Sequence, residues 1–392
     1  MSKLDDLIAE LCPNGVEYKK IKDVYNRLKG TSITAGKMKE IENPDGEIKI
    51  FAGGKTLINA REEDIHKANI TRVPAVLVQS RGVIDAIYYD KPFTFKNEMW
   101  AYTAKNIITV KYLYYVLKNN IQHFREAASG MGSLPQISLQ VTEEFVIPLP
   151  PLPVQREIVR ILDNFTELSA ELSAELSARK KQYEYYRDEL LALKNGVRIV
   201  KLGEIATDMY RGAGIKRDET STDGFPCVRY GEIYTTYNIW FDSCVSHTHK
   251  GTKTFEHGDI LFAITGESVE EIAKSCAYMG NDKCFAGGDI VVMKHKQNPK
   301  YIAYALSTAD AQAQKSKGKV KSKVVHSSVP ALKDICIPLP PLAEQERIVA
   351  ILDRFDALCN DLTSGLPAEI EARRKQYEYY RDKLLTFKEM TV

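Results

Sequence analysis

Two short segments carry residue types used in phosphate and nuclease chemistry, and each lacks part of the required pattern. Gly53-Gly54-Lys55-Thr56 is similar to the end of a phosphate-binding loop, but Lys49 stands where the G-x-x-x-x-G-K-[ST] motif has its first glycine. A turn between strands is the better interpretation. Asp45, Glu47 and Lys49 are residue types of a nuclease metal site, but they lie too close in sequence to place the carboxylates on separate strands. We interpret them as a charged turn.

Metal and cofactor chemistry are not indicated either. Cys244, His247 and His249 are zinc-ligand types, but no fourth ligand follows at the usual spacing, which favours a solvated loop. The seven cysteines are odd in number and include no C-x-x-C pair, as expected for reduced thiols. The sequence has neither the Asn-Pro-Pro-aromatic motif of amino methyltransferases nor a glycine-rich cofactor loop after a strand. We therefore predict no catalytic residues, no metal and no cofactor for this chain.

Composition predicts a globular protein with more than one core. The 392 residues are 44% hydrophobic and 27% charged, and no apolar run approaches membrane-spanning length. The acidic start of the sequence lacks the regions of a signal peptide, so we expect a cytoplasmic protein without membrane contact. The net charge of +2 is unevenly distributed, because no acid lies between Asp310 and Asp334, where six lysines fall. The stretch between Glu98 and Glu126 also has no acid.

A long repeat determines which elements must position any functional residue. The segment 147–188 recurs as 337–382, opening both times with IPLPPL and ending with KQYEYYRD. Two such segments, each following a domain-sized stretch, predict a two-armed protein with internal two-fold symmetry. We expect four segments: globular domains at 1–146 and 196–336, and helical regions at 147–195 and 337–392.

The helical regions have the spacing of a coiled coil. Apolar and aromatic residues alternate at intervals of four and three, from Leu172 to Leu193 and from Leu366 to Phe387. We expect the two helices to pack as an antiparallel coiled coil about 60 Å long, at ~1.5 Å rise per residue. The first contains three copies of the tetrapeptide ELSA at 167–178. Gly365 and Pro367 should interrupt the second.

The two globular domains are faintly similar to each other. Short β-branched runs, glycine pairs and a late helix, near 111–124 and 300–314, predict two α/β domains with curved β-sheets. The short helix at 4–11 matches the end of the first helical region, so the N-terminus should dock beside the C-terminal helix. The predicted fold class is therefore mixed α+β, pseudo-two-fold and circularly closed.

These features resemble the DNA-specificity subunit of Type I restriction-modification enzymes. The resemblance covers the whole chain and includes two copies of a P-L-P-P-L-x-x-Q signature, at 148–155 and 338–345. It implies a non-catalytic subunit whose two target-recognition domains each read one half of a bipartite, asymmetric site in double-stranded DNA, while the helices set the gap. It also implies two modification subunits as partners, with motor-nuclease restriction subunits joining for cleavage. S-adenosylmethionine and ATP are expected on those partners.

Candidate DNA contacts follow from residue type and position. Alternating lysines, if extended, point to one side and suit phosphates, although a solvated loop is an equal alternative. Arginine suits guanine edges and asparagine suits adenine edges, but Arg81 has Asp85 and Asp90 as alternative partners. The candidates are Lys55, Ser80, Arg81, Lys96 and Asn97 in the first domain, and Arg229, Tyr230, Lys250, Lys253, Lys315, Lys317, Lys319, Lys321 and Lys323 in the second.

Candidate partner contacts lie at the start of each helical region, where a four-helix contact with modification subunits is expected. For Tyr183 and Tyr377 core packing is the stronger interpretation. The rival functions are the specificity part of another bipartite restriction system, a duplicated coiled-coil adaptor that binds only protein, and an autonomous methyltransferase. The candidate partner residues are Leu152, Gln155, Ile158, Leu342, Gln345 and Ile348.

Overall fold

The computed structural model describes residues 3–54, 56–66, 69–129, 134–192, 197–269, 271–316, 320–321, 324–361 and 364–390. The chain forms two compact units, Met1–Ser173 with Glu369–Val392, and Ala174–Ala368. Each unit contains one globular α/β domain together with parts of both helical regions. The four-segment boundaries stay a prediction.

The first globular domain is built around a strand that is buried on both faces. In the strand β5 (Ala75–Gln79), Val76 and Val78 pack with the helix α4 (Ile107–Asn119), whereas Ala75 and Leu77 pack with a separate aromatic core. A continuous apolar run is the sequence signature of such a strand. The elements are α1 (Lys3–Leu11), β1 (Glu17–Lys20), α2 (Ile21–Val24), β2 (Asn26–Leu28), α3 (Ala35–Ile41), β3 (Ile48–Phe51), β4 (Leu57–Ala60), β5 (Ala75–Gln79), β6 (Asp85–Tyr89), β7 (Phe93–Phe95), β8 (Trp100–Thr103), α4 (Ile107–Asn119), α5 (Ile121–Glu126), α6 (Leu139–Glu143) and β9 (Val146–Leu149).

The sheets of this domain have the strand orders β2-β8-β5-β6, β4-β3-β7 and β1-β9. The last is an antiparallel pair that joins the domain's first strand to the strand leading into the helical region. The domain therefore starts and ends at the base of that region.

The second globular domain repeats this plan. Its central strand β17 (Ile260–Ala263) alternates in the same way, with Ile260 and Phe262 in the core that includes the helix α10 (Pro299–Leu306), and Leu261 and Ala263 in another core. The elements are β10 (Ile199–Lys201), α8 (Leu202–Ile205), β11 (Ala206–Arg211), β12 (Thr220–Ser221), β13 (Phe225–Val228), α9 (Tyr230–Thr235), β14 (Trp240–Phe241), β15 (Ser246–Thr248), β16 (Thr254–Phe255), β17 (Ile260–Ala263), β18 (Thr265–Gly266), β19 (Ser275–Tyr278), β20 (Cys284–Ala286), β21 (Ile290–His295), α10 (Pro299–Leu306), α11 (Ala309–Lys315), β22 (Val320–Lys321), β23 (Val324–His326), α12 (Val329–Lys333) and β24 (Cys336–Pro338).

Its sheets have the orders β11-β21-β17-β19-β14, β12-β15-β13-β20-β16, β18-β23-β22 and β10-β24. The β10-β24 pair is antiparallel and occupies the place of β1-β9 in the first domain. The terminal strand pairs and the central strands therefore support the predicted similarity of the two domains.

The helical regions differ in continuity. The first is one helix of 39 residues, α7 (Leu152–Leu190), whereas the second is divided into α13 (Leu342–Asn360) and α14 (Leu366–Leu384), of 19 residues each. At the break, a Cβ atom on Gly365 would lie 2.5 Å from the carbonyl oxygen of Ala357, so only glycine fits. The predicted interruption is confirmed.

Within each unit, the seam aromatics pack in the same way. In the first unit the ring of Phe165 stacks on Tyr380 at 5.8 Å, and in the second the ring of Phe355 stacks on Tyr186 at 5.7 Å. Tyr183 belongs to the core of the second unit. Core packing of Tyr183 is therefore confirmed, and Tyr377 packs, partly buried, against the core of the first unit.

The predicted closure of the chain is present in the first unit. The backbone N–H of Val16 donates to the carbonyl of Lys388 at 2.9 Å, and the N–H of Met390 donates to the carbonyl of Val16 at 2.9 Å. The hydroxyl of Tyr18 donates to the carbonyl of Phe387 at 2.8 Å. The start of the chain is thus hydrogen-bonded to its end.

Candidate nucleic-acid interface

In both domains a polar corner follows the buried central strand. The N–H of Ile137 donates to the carbonyl of Ser80 at 2.9 Å in the first domain, and the N–H of Ser327 donates to the carbonyl of Ile264 at 2.9 Å in the second. We call Ser80–Gly82 with Gln136 the first corner, and Ile264–Gly266 with His326 the second corner. Each corner is hydrogen-bonded to a segment distant in sequence. This bond makes the corner a rigid support for a side chain that contacts a ligand.

Arg81 is the exposed side chain of the first corner, and its backbone bridges Gln136. The alternative partner Asp85 accepts from Lys118 Nζ at 2.7 Å. Among the described residues Arg81 forms no ion pair, so its guanidinium is available to an external acceptor. Asn97 is also exposed.

Ser80 and Lys96 support this corner from inside. Ser80 is buried and its hydroxyl donates to the carbonyl of Glu98, so the expectation that Ser80 contacts DNA is wrong. Lys96 Nζ lies 3.0 Å from the carboxylate of Glu98. Burial on its own raises the pKa of Glu98, but hydrogen bonds from Lys96 and from backbone N–H groups outweigh it and lower that pKa. Lys55 lies outside the described residues.

The second corner is a small sheet instead of a single bridge. β18 pairs with β23, which places Thr265 opposite His326, and the Thr265 hydroxyl lies 3.2 Å from His326 Nδ1. β23 also pairs with β22, which contains Lys321. The corner is therefore continuous with the lysine-rich segment.

The other candidates of the second domain are mostly engaged. Arg229 Nε donates to Glu232 at 3.3 Å, and Lys250 Nζ pairs with Glu219 at 3.1 Å. Lys253 Nζ lies 5.8 Å from the ring centroid of Tyr210. Tyr230 is 39% exposed. Tyr230 and Lys253 are thus more accessible to an external ligand than the paired Arg229.

The lysine run begins differently from the prediction. Lys315 ends the helix α11 and is 5% exposed, with Nζ donating to the carbonyl of Leu306 at 2.7 Å. The expectation that Lys315 points outward with the other lysines is wrong, because a helix end turns it into the domain. Lys317, Lys319 and Lys323 lie outside the described residues.

An identical set of contacts joins each helical region to its domain. Asp163 accepts from Lys111 Nζ at 2.6 Å and from the Tyr115 hydroxyl at 2.7 Å. Its counterpart Asp353 accepts from Lys300 Nζ at 2.7 Å and from the Tyr304 hydroxyl at 2.8 Å. Burial, reinforced by the hydrogen bond to the aspartate, raises the pKa of both tyrosines. The start of each helical region is thereby held against α4 or α10.

Four of the candidate partner residues are interior residues. The side chains of Gln155 and Gln345 donate to the carbonyls of Pro150 and Pro340, at 2.7 and 2.8 Å. Ile158 and Ile348 are 0% and 3% exposed, whereas Leu342 is 51% exposed. The expectation of partner contact is wrong for these four residues. The glutamines are hydrogen-bonded to the proline turn, and the isoleucines are buried in the core. Leu342 and the half-buried Leu152 stay candidates.

Two partly exposed aromatic clusters lie on the helical regions instead. The first cluster consists of Phe165, Tyr379 and Tyr380 in the first unit, and the second of Phe355, Tyr185 and Tyr186 in the second unit. Tyr185 and Tyr379 are each 64% exposed, and each packs edge-on against the next tyrosine at 5.5 and 5.4 Å. The same surface is therefore built twice.

The described residues contain no group of three or more His, Cys, Asp or Glu side chains arranged to hold a metal ion. His249 lies 3.4 Å from Asp223. No helix in the described ranges is long and apolar enough to cross a membrane.

Comparison with known proteins identifies the family. The model of the type I restriction modification DNA specificity domain matches residues 13–179 and again residues 194–372. The chain belongs to the type I restriction-modification DNA specificity family. It is 31% identical over 356 residues to the EcoR124I/EcoR124II specificity subunit of Escherichia coli, covering 87% of each chain. It is 32% identical over 308 residues to a putative type I specificity subunit of Haemophilus influenzae, covering 75% of this chain and 77% of that one.

Solved structures of the family share the fold. An S subunit from M. genitalium matches with a TM-score of 0.60 and 16% identity, covering 95% of this chain and 96% of that one. A chain from a study of complex assembly in the type I R-M system matches with a TM-score of 0.58 and 15% identity, covering 95% and 98%. The predicted mixed fold, with two α/β domains and long helices, is confirmed.

Three features of the chain could not be identified from its sequence by the patterns considered above. The aspartates Asp163 and Asp353 belong to the repeat, but their partners on α4 and α10 are distant in sequence. Tyr185 and Tyr379 lie off the heptad seam within an identical octapeptide, and this combination is the signal that marks them as surface residues retained in both copies. Thr265 and His326 carry no motif, and only strand pairing brings them together.

Proposed function

We propose that this chain is the non-catalytic DNA-recognition subunit of a type I restriction-modification complex, and that each globular domain reads one half of a bipartite, asymmetric DNA site. The repeated corner is the observation that carries this proposal. A side chain fixed by cross-bridging backbone suits base edges, whereas lysines suit phosphates. Because the corners differ in residue type, with Arg81 in one and Thr265 and His326 in the other, each domain would read its own half.

Arg81 is the sharpest test of base reading in the first domain. A bidentate contact from arginine to guanine contributes about 1–3 kcal/mol of discrimination against other bases. We expect Arg81→Ala, in the complete complex, to relax specificity at one position of one half-site, seen by mapping methylated sites. Arg61→Ala is the matched control, because Arg61 is an exposed arginine of the same domain paired with Glu63 at 3.4 Å. Unchanged site selection by Arg81→Ala would remove the first corner from the proposal.

We infer that the two aromatic clusters are the contact sites for two modification subunits, one on each unit. Exposed, stacked tyrosines are typical anchors of protein interfaces, and a surface built twice in one chain fits two copies of one partner. Helices of the partner lying beside the helical regions would complete a four-helix contact. S-adenosylmethionine would be bound by the modification subunits, and ATP by the motor-nuclease subunits.

The stoichiometry of the complex tests this inference. We expect Tyr185→Ala or Tyr379→Ala to reduce the number of bound modification subunits from two to one, and the double variant to bind none, by native mass spectrometry. Tyr230→Ala, an exposed tyrosine outside the helical regions, is the control and should leave two. Two subunits bound to the double variant would rule out the clusters as the interface.

A duplicated adaptor that binds protein without DNA specificity would use the same clusters. DNA affinity separates the two functions, because binding to phosphates weakens steeply with salt. A complex with no salt-dependent DNA affinity would favour the adaptor.

A further inference from the structure

The second unit contains a cavity of about 290 Å³ between its globular domain and the helical regions, with a mostly apolar wall and a few polar groups. The domain contributes Lys274, Ser275 and Lys315, and the helices contribute Tyr183 and Asp356. Its volume is close to the lower limit of small-molecule sites, about 300 Å³. The residues that line it take no part in the proposed DNA or partner contacts.

At the domain end of the cavity lies a cation without a counter-ion. Lys315 Nζ donates to the carbonyl of Leu306 at 2.7 Å and to the hydroxyl of Ser275 at 3.3 Å, which leaves one of the three ammonium N–H groups. Within the described ranges no carboxylate pairs with it, and burial lowers the pKa of Lys315 to about 7. A buried ammonium without an anion is unfavourable, and an anion placed here would offset part of that cost.

At the helical end lies a hydroxyl without a partner. Tyr183 is 7% exposed, and its buried oxygen has no hydrogen-bond partner in the described part of the chain. The neighbouring Asp356 is half-buried and accepts from Asn360 Nδ2 at 2.8 Å, and burial raises its pKa. Buried polar groups are normally satisfied, so this end can accept or donate a hydrogen bond to a ligand.

The corresponding tyrosine of the first unit has different surroundings. Tyr377, the counterpart of Tyr183, is half-buried, and the guanidinium of Arg381 lies 5.6 Å from its ring centroid. Arg381 Nε also donates to Asn119 at 2.6 Å and so bridges this helix to the domain. Asp356 stands in the repeat where the first copy has Thr166. The cavity therefore lies where the two joints between domain and helical regions differ in their residues, although the joints otherwise match.

We propose that this cavity binds a small organic anion, with a carboxylate or phosphate group at Lys315 Nζ and a polar group at Tyr183 and Asp356. Such a ligand would contact the globular domain and the helical regions of the same unit, so its binding would stabilise that joint. The second unit would then carry a small-molecule site in addition to the proposed DNA recognition, which does not depend on it.

Thermal unfolding of the full chain, in its complex, tests the site with two probes, sodium phosphate and sodium citrate, against sodium chloride at equal ionic strength. We expect one of the two anions to raise the melting temperature beyond chloride. Lys315→Met should weaken that anion's binding at least ~10-fold in a calorimetric titration, as for loss of a hydrogen bond to a charged group. Tyr183→Phe, which removes one oxygen, should weaken it less.

Lys333→Met is the matched control, because Lys333 is an exposed lysine of the same domain. It should keep wild-type binding of the anion. Equal binding by Lys315→Met and Lys333→Met would overturn the proposal, and so would the absence of any shift beyond chloride with both probes. Comparing phosphate with citrate distinguishes a phosphate ligand from a carboxylate ligand.

Discussion

Lys315 also makes the stability of the second unit depend on pH. Its pKa is about 7 in the folded chain and 10.5 ordinarily, so between these values the unfolded chain binds more protons. The penalty for burying the ammonium is complete below about pH 7 and disappears as the pH rises toward 10.5, with a slope of at most about 1.4 kcal/mol per pH unit. We expect Lys315→Met to be more stable than the wild type at pH 7, and the advantage to shrink at pH 8 and 9.

Chemical denaturation of both proteins at these three pH values gives the difference directly. The comparison isolates Lys315, because Lys274, Glu271, Asp356, Arg187 and Tyr183, which line the same cavity, are present in both. A constant difference would mean that Lys315 does not titrate in this range.

Single residues were the least predictable level from sequence. A lysine between Gln314 and Ser316 would be expected to face solvent, and only the packing of α11 against the domain turns Lys315 inward. The position of Gln155 and Ile158 at the start of a helical region predicts contact with a partner, but both also recur in the second copy. They recur because each proline turn needs the same glutamine amide and each core the same isoleucine.

At the scale of elements, the segment around β22 and β23 is the best candidate for phosphate binding. Each phosphate contact contributes about 0.9 to the slope of log affinity against log salt. We expect Lys317→Ala, Lys319→Ala and Lys321→Ala, combined, to weaken binding to all DNA sequences equally and to flatten that slope by up to about 2.7. Measuring DNA affinity at several salt concentrations gives this slope. An unchanged slope would indicate that these lysines belong to a solvated loop that does not contact phosphates.

Elements with a periodic signal were predicted well. The heptad spacing predicted the long helix α7, and Gly365 with Pro367 predicted the break between α13 and α14. The strands were predicted only as a class, because short strands acquire partners from distant segments, as β3 does in pairing with β7. The corners share this limitation, since a cross-bridge leaves no local pattern.

At the scale of the whole molecule, duplication gives two units whose domains have diverged while the joints to the helices are retained. The Asp163 and Asp353 contacts are equivalent in every partner, whereas the corners differ in residue type. Such a division suits a protein that must read two different sequences with one assembly geometry. The helix α7 begins in one unit and ends in the other, so its length is the property by which the gap between half-sites could be set.

Changing that length tests the proposal. One more Glu-Leu-Ser-Ala within 167–178 adds ~6 Å of helix, and one base pair occupies about 3.4 Å. We expect the unread gap between half-sites to widen by about one to two base pairs, by the same two figures. The bases read within each half should not change, because neither globular domain is altered.

The insertion also rotates one end of the helix relative to the other, and each added base pair turns the duplex. Affinity should therefore fall if the DNA has to bend or twist to reach both domains. Mapping methylated sites for the wild type and the insertion variant side by side measures the gap and the half-sites together. If the variant kept the original gap with full activity, a flexible connection between the domains would have to replace the helix as the element that sets the spacing.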